Sequence, residues 1–448
     1  MGKIAISVDH RSIETIQTDL LIVGGGAAGL AAAVTAARRG IRVVLLERYG
    51  FAGGAAVAGL SGTVCGLYMA SPDPMRPPQQ VIHGFADEFI HAMEARQGLT
   101  GPVAYGDTFT RVHDPLVWRE VGDGLLMDAG VTVIYHALVT DVYTEGGERI
   151  AGVRAYTKQG KLDVLARLTI DASGDADVFA MAGFETSMGL NGNVQNPTMI
   201  FRIYGVDMER FMQAHGENSI LGPAVERLIE AAQLDGCDLP RKKVFLFPTP
   251  RPAELLCNAT RIIGADKREL NPLKWRDLTE AEVRGRTQVR AYLDFFRNNI
   301  EGCENAFVND TGVQVGIRQS RQIRGLATLS NDDVLDARKN REGIARSPWP
   351  IEMHSGEKPK LVWIHDDYYE IPYGCFVPEY GESLLAVGRC LSAEHEAMAS
   401  ARVTGPCFSY GQAVGLAAAI CIADGLAPRA LSGADLRVEL NRLGAKLD

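Results

Sequence analysis

The strongest apolar run near the amino end is Leu20 to Val23, four hydrophobic residues that stop at Gly24-Gly25-Gly26. A short unbroken run of this kind is the pattern of a strand buried on both faces of a parallel sheet. Ala27 to Arg39 follows as a predicted helix. Its alanines are strong helix formers, Arg38 and Arg39 suit the negative end of the helix dipole, and Gly40 supplies the C-cap. Ile41 to Leu46 reads as a second buried strand. Strand, helix and parallel strand make one βαβ unit with a right-handed crossover. Two later runs have the same form: Ala166 to Ile170 leads into Asp171-Ala172-Ser173-Gly174-Asp175, and Ser383 to Val387 opens into Gly388-Arg389. A long charged helix is expected over Leu278 to Arg297, and a last helix beginning near Gly411. Alternation of buried strands with helices places the chain in the α/β class.

Within the first unit, Gly24-x-Gly26-x-x-Gly29 has the order of the dinucleotide fingerprint. Gly24 allows the tight turn, Gly26 lets a pyrophosphate approach the backbone, and Gly29 lets helix and strand pack closely. The helix N-terminus offers free N–H groups to the anion. Glu47 ends the second strand, where a carboxylate accepts bonds from ribose hydroxyls. The following RYGFAGGAAVAGLSGTVCGL is neither a strand nor a clean amphipathic helix, and its Gly53-Gly54-Ala55 gives a second bare stretch of backbone. A nicotinamide domain would proceed directly to another crossover, so the pattern favours a flavin dinucleotide.

Composition narrows the partners. The 448 residues are 46% apolar and 23% charged with a mean hydropathy of -0.03, an ordinary globular balance. A net charge of -9 and a pI of about 5.6 draw the molecule neither to nucleic acid nor to an anionic membrane. The 48 glycines are not periodic and favour loops wrapped around a ligand. Eight cysteines occur without a C-x-x-C pair, and His83, His91 and His113 have no ligand spacing, so no metal site is expected. Reduced thiols and a start, residues 1–17, without an apolar signal core point to a cytoplasmic protein. The uncharged stretches Leu20 to Ala37 and Val403 to Ala423 are interrupted by glycines, the second also by Pro406, and no membrane span is expected.

The segments IVGGGAAGLAAA, LLERYGFAGGAAVAG, IDASGDADVFAMAGFE, FRIYGVD, GIRQSRQIRG, IPYGCFVP and LLAVGRCLSAEHEAMASARVTGPCFSYGQAVGLAAA extend over nearly the whole chain. Together they resemble the FAD-dependent oxidoreductases of the glutathione-reductase-like fold, a group related to the flavoprotein subunits of succinate dehydrogenase and fumarate reductase. The resemblance implies a Rossmann-like FAD-binding domain formed by residues 1–186 and 362–448, with an inserted α+β substrate domain over 187–361. It implies that Gly24, Gly26, Ala28, Gly29, Glu47 and Arg48 bind the cofactor. Gly53, Gly54 and Ala55 would lie along the diphosphate and flavin, and Val139 would present its backbone to the adenine. Gly174 and Asp175 would stand near the diphosphate and adenosine half, with Gly388 and Arg389 approaching the diphosphate and ribityl chain. Gln412, Ala413, Val414 and Gly415 would open the last helix below the flavin, where a helix N-terminus stabilises negative charge. With no histidine between Arg11 and Ile82, FAD is expected to be held non-covalently, a linkage through Cys65 being the alternative.

Catalytic candidates by this resemblance are His395 and Arg402 in SAEHEAMASARVTG, and Arg318 in GIRQSRQIRG. An arginine orients an anion, and a histidine bonds the substrate or moves a proton as hydride leaves. The plainer reading pairs His395 with Glu394 or Glu396 and makes Arg402 a helix cap. Arg318, Arg321 and Arg324 share one face if their segment is helical. No second G-x-G-x-x-G follows a strand, so a separate NAD(P)H domain is not expected. The leading function is a flavin dehydrogenase or oxidase acting on a C–H bond of a small organic substrate, with oxygen, a quinone or a protein as electron acceptor. The alternatives are an aromatic monooxygenase and a non-catalytic FAD-binding scaffold subunit; homo-oligomerisation is left open.

Overall fold

Parallel pairing of short apolar strands sets the frame. A computed structural model describes residues 14–354 and 360–448. The amino-terminal residues 1–13, most of the stretch expected to lack a signal core, lie outside the described residues. The first strand, Glu14–Val23, pairs in parallel with Val43–Leu46 on one side and Gly160–Asp171 on the other. Leu20 stands between Val43 and Leu168, and Val23 opposite Leu46 and Asp171. Thr132–Ile134 extends the sheet beyond Val43–Leu46, and Leu384–Ala386 pairs in parallel with the end of Gly160–Asp171. The other half of that long strand turns into an antiparallel meander with Arg149–Thr157 and Leu138–Glu145. The carboxyl ends of the parallel strands therefore converge on one edge, where ligands of open α/β sheets bind.

Helix Ala27–Arg38 covers the sheet and buries Ala28 through Ala36. Packed on it is the last long helix, Thr404–Asp424. This corrects the expected start near Gly411. The helix opens at Thr404 after the extended Val403, with Pro406 in its first turn, a position where the missing N–H removes no helical bond. Gln412, Ala413, Val414 and Gly415 lie in its interior, fully or almost fully buried, instead of at its amino end. A Cβ on Gly411 would stand 2.5 Å from the Ala28 carbonyl oxygen, and one on Gly415 would overlap that of Ala32, so both glycines serve the helix crossing. Among the described residues this is the one helix long and apolar enough to cross a bilayer, and its apolar window is 89% buried inside the protein.

A second hydrophobic core runs from Met199 to Val315. Its antiparallel sheet has the order Phe245–Pro248, Glu254–Asn258, Phe201–Tyr204, Phe307–Thr311. Helix Trp275–Asn299 buries Ala281, Val289, Tyr292, Leu293 and Phe296 against it. Leu329, Val334, Ile344 and Ile351 pack with the first core, although they fall within the span 187–361.

The same substitution has opposite signs at two helical glycines. Gly124, in Pro115–Asp128, has nothing within 4 Å of a built Cβ, so Gly124→Ala stabilises by about 0.5–1 kcal/mol through helix propensity. Gly411→Ala forces two backbones apart and destabilises by about 1–3 kcal/mol. Urea midpoints at constant slope measure both, and a Gly411→Ala protein as stable as the parent would contradict the close crossing.

Candidate functional site

At the carboxyl edge of the parallel sheet lies an open cleft enclosing about 1070 Å³. Three glycines of the first turn have separate physical reasons. Gly24 is left-handed, φ 108°, and a Cβ there would overlap the Ala172 carbonyl. A Cβ on Gly29 would overlap the Gly24 carbonyl oxygen. Gly26 is different: its backbone is extended, and a Cβ would meet nothing nearer than the Gly54 Cα at 3.9 Å. No protein neighbour excludes a side chain at Gly26; the space above it is the cleft. The helix beginning at Ala27 has neither a side-chain cap nor an acidic residue in its first turn, so its opening N–H groups face the cleft without a protein anion.

Glu47 ties this loop to the second strand. It is 4% exposed; Oε2 accepts the Gly25 N–H at 2.7 Å and Oε1 the Tyr49 N–H at 2.9 Å. Burial raises its carboxyl pKa against those two bonds. Each oxygen keeps acceptor capacity for a further donor. Arg48 and Tyr49 both donate to Gln314 of the inserted segment, Arg48 at 3.2 Å, and this trio closes one end of the cleft.

The other walls match the motifs in part. Gly53, Gly54, Ala55, Val139, Gly174, Gly388 and Arg389 all line the cleft beside Gly24, Gly26, Ala28, Gly29, Glu47 and Arg48. Asp175 is not among its lining residues. It accepts the Ser320 hydroxyl at 2.6 Å and faces Arg389 Nη2 at 3.4 Å, while Asp177 borders the cleft. Asp171 shapes this turn: fully buried, it accepts Ser173 Oγ at 2.6 Å and the Val178 N–H at 2.9 Å, and burial pushes its pKa up to about 6.

Arg402, Thr404 and Cys407 also line the cleft. Arg402 is the residue after helix His395–Ala401, so the reading of it as a helix end and as a cleft residue both hold. Its Nη2 donates to Gln195 of the inserted segment at 3.3 Å, and its Nε has no partner among the described residues. Thr404 and Cys407, in the first turn of the last helix, occupy the place expected for Gln412 to Gly415. Gln412 instead accepts the Phe85 N–H at 3.1 Å.

His395 does not line this cleft. It borders a separate cavity with Gln195, Glu269 and Met353, and Gln195 also accepts a hydrogen bond from Arg402. Arg318 also lies elsewhere, nine-tenths buried in an internal pocket with Arg241 and His354. The three arginines share no helix face, since Arg321–Ile323 is a strand. Arg321 pairs with Asp177 and Arg324 with Glu185. Tyr369 is core, its hydroxyl 2.8 Å from Ser400 Oγ. Cys65 lies outside the cleft wall, and burial pushes its thiol up to about 12, away from the thiolate.

Sequence reasoning missed the group around Glu352. This carboxylate is buried in strand Ile351–Met353; it accepts the Tyr105 hydroxyl at 2.7 Å, and His354 Nε2 stands 3.0 Å from it. Burial opposes its charge, but His354, Arg318 and Arg402 overcome that and hold the carboxyl well below its usual range. Burial and Arg318 hold His354 neutral. The available signal was an acid and a histidine two apart in the apolar segment PWPIEMHS, the period of one strand face.

A glycine-cradled cleft thus lies at a topological switch of a parallel sheet, with Gln314 from the neighbourhood of the second core on its wall. The chain belongs to the FAD dependent oxidoreductase family, which matches residues 19–440. It is similar to the thiamine thiazole synthase of Aeropyrum pernix, 28% identical over 170 residues, which are 36% of this chain and 55% of that enzyme. The alignment thus spans about half the length of that relative. Among solved structures, p-nitrophenol 4-monooxygenase from Pseudomonas putida shares the fold at a TM-score of 0.50 and 13% identity, over 95% of this chain and 84% of that one. A geranylgeranyl bacteriochlorophyll reductase-like protein from Thermoplasma acidophilum aligns at 0.49 and 14%, over 96% and 83%.

Purified protein is expected to be yellow. Gly26→Val, whose Cβ meets nothing nearer than the Gly54 Cα at 3.9 Å, keeps its circular dichroism and loses the flavin absorbance. A Gly26→Val protein that retains a full complement of FAD would show that the cofactor lies elsewhere.

Proposed function

We propose that the protein is a flavin dehydrogenase or oxidase that takes hydride from a C–H bond of a small organic substrate bound between the cleft and the inserted domain. FAD, held non-covalently, supplies the two-electron acceptor. The residues suited to hold it are the Gly24–Gly29 turn and first-helix N–H groups at the diphosphate, and Glu47 at the ribose. Arg389 and the first turn of the last helix suit its other half. That turn carries the partial positive charge of a helix N-terminus, which favours added negative charge nearby.

One observation carries the reading: Arg402 lines the cleft, and its Nη2 reaches Gln195 across the domain junction. A substrate held beside Arg402 would therefore meet polar groups of that junction. Arg402 has an unpartnered Nε with which to hold a substrate oxygen.

Anaerobic mixing with a panel of hydroxy acids, amines and alcohols is expected to bleach the wild-type flavin. Arg402→Ala retains FAD and slows bleaching by about 100-fold or more, the usual effect of removing one oriented donor. Glu47→Ala weakens FAD retention by about 1–3 kcal/mol, the worth of bonds to a charged acceptor. Rapid NADPH oxidation stimulated by an aromatic compound, with no anaerobic bleaching by any panel member, would replace this reading with a monooxygenase.

A further inference from the structure

Gln195 takes part in two places. Its Oε1 accepts Arg402 Nη2 at 3.3 Å, and the same side chain lines a cavity with Val194, Glu269, Met353 and His395. The centre of a water molecule can range over about 120 Å³ of this cavity, against about 10–15 Å³ where a single water is held. The cavity therefore admits a small organic molecule.

Two buried polar atoms of its wall are unmatched. Gln195 is 3% exposed, and neither its Nε2 nor His395 Nδ1 has a hydrogen-bond partner among the described residues. The amide nitrogen can only donate. Burial holds His395 below its usual pKa against the raising field of Glu396, so the ring is neutral and one of its nitrogens accepts. One hydroxyl group satisfies both atoms, since it accepts from an amide and donates to an imidazole.

Charge decides the rest of the ligand. Glu269 is the one charged residue among the described wall residues; it is exposed and makes no hydrogen bond or ion pair with any of the described residues. Its neighbour in sequence, Arg268, is engaged with Asp266, Asp277 and Glu280. The acids beside His395 are occupied as well: Glu394 accepts the Asn331 N–H at 2.7 Å, and Glu396 stands 3.9 Å from Lys360. Glu269 is thus the carboxylate left to meet a cation, and Val194 and Met353 offer apolar wall to a short carbon stem.

We propose that this cavity binds a small amino alcohol, with its ammonium group at Glu269 and its hydroxyl between Gln195 and His395. The site is separate from the cofactor cleft, and it stands whether or not the dehydrogenase reading does.

FAD-loaded wild-type protein is titrated calorimetrically with ethanolamine, propylamine and ethylene glycol at constant ionic strength. Ethanolamine is expected to bind at a single saturable site. Propylamine keeps the ammonium and lacks the hydroxyl, ethylene glycol keeps a hydroxyl and lacks the charge, and each binds about tenfold more weakly or worse. Glu269→Gln weakens ethanolamine binding by about tenfold or more and leaves the unliganded melting temperature at the wild-type value, because Glu269 has no partner to lose. Gln195→Met removes the preference for ethanolamine over propylamine. Where Gln195→Met does not fold, the comparison of the three ligands on the wild type tests the hydroxyl without a variant. Absence of saturable ethanolamine binding, equal affinity for ethanolamine and either analogue, or unchanged binding in folded Glu269→Gln overturns the proposal.

Discussion

At Ala28 and Ala32 the backbone of the first helix meets the backbone of the last with no side chain between them, because Gly411 and Gly415 face those carbonyls. Protein interiors transmit strain poorly absorbed by voids, so the separation of these two helices is set by that contact. Everything at the cleft inherits it. The first helix begins at the glycine turn, and the last begins at Thr404 on the far wall. A crossing one methyl wider would separate Gly26 from Cys407, which line one cleft. Residues some four hundred positions apart in sequence act as one site because two glycines lack side chains.

Much of this was legible where the signal is local. The apolar run Leu20–Val23, the alanine-rich helix and the run ending at Leu46 are all present, the first strand extending back to Glu14. Their glycines, acid and apolar runs all agree within one βαβ unit. The last helix was misplaced for a physical reason. Gly411 and Gly415 look like a loop entering a helix when only neighbours in sequence are considered, but they answer a tertiary contact. The true start was marked by Pro406 in the first turn. Arg318, Arg321 and Arg324 misled in the same way: a spacing of three suggests a helix face, whereas strand pairing at Arg321–Ile323 sends the three side chains to different surroundings. Glu352 and His354 were individually visible, but their association with Arg318 and Arg402 is made by the fold.

The two halves of the site handle negative charge by different means. Around the glycine turn the donors are backbone N–H groups, fixed by the helix, carrying partial charges and facing the open cleft, where water can satisfy them when no anion is present. At the domain junction the donors are guanidinium groups with full charges, for which burial is expensive without a counter-ion. The first arrangement suits a resident cofactor that the protein can survive without during folding. The second has Glu352 as its shared counter-ion.

That difference also bears on how the two cores meet. Asn196 and Arg241 belong to the inserted segment, whereas Glu352 and His354 belong to a stretch packed with the first core, whose hydrophobic members include Ile351 and Met353. Repulsion among Arg241, Arg318 and Arg402 therefore acts across the junction, with Glu352 and the Arg402–Gln195 bond opposing it. Glu352, which also accepts the Tyr105 hydroxyl at 2.7 Å, is therefore the carboxylate that the charges on both sides of the junction share.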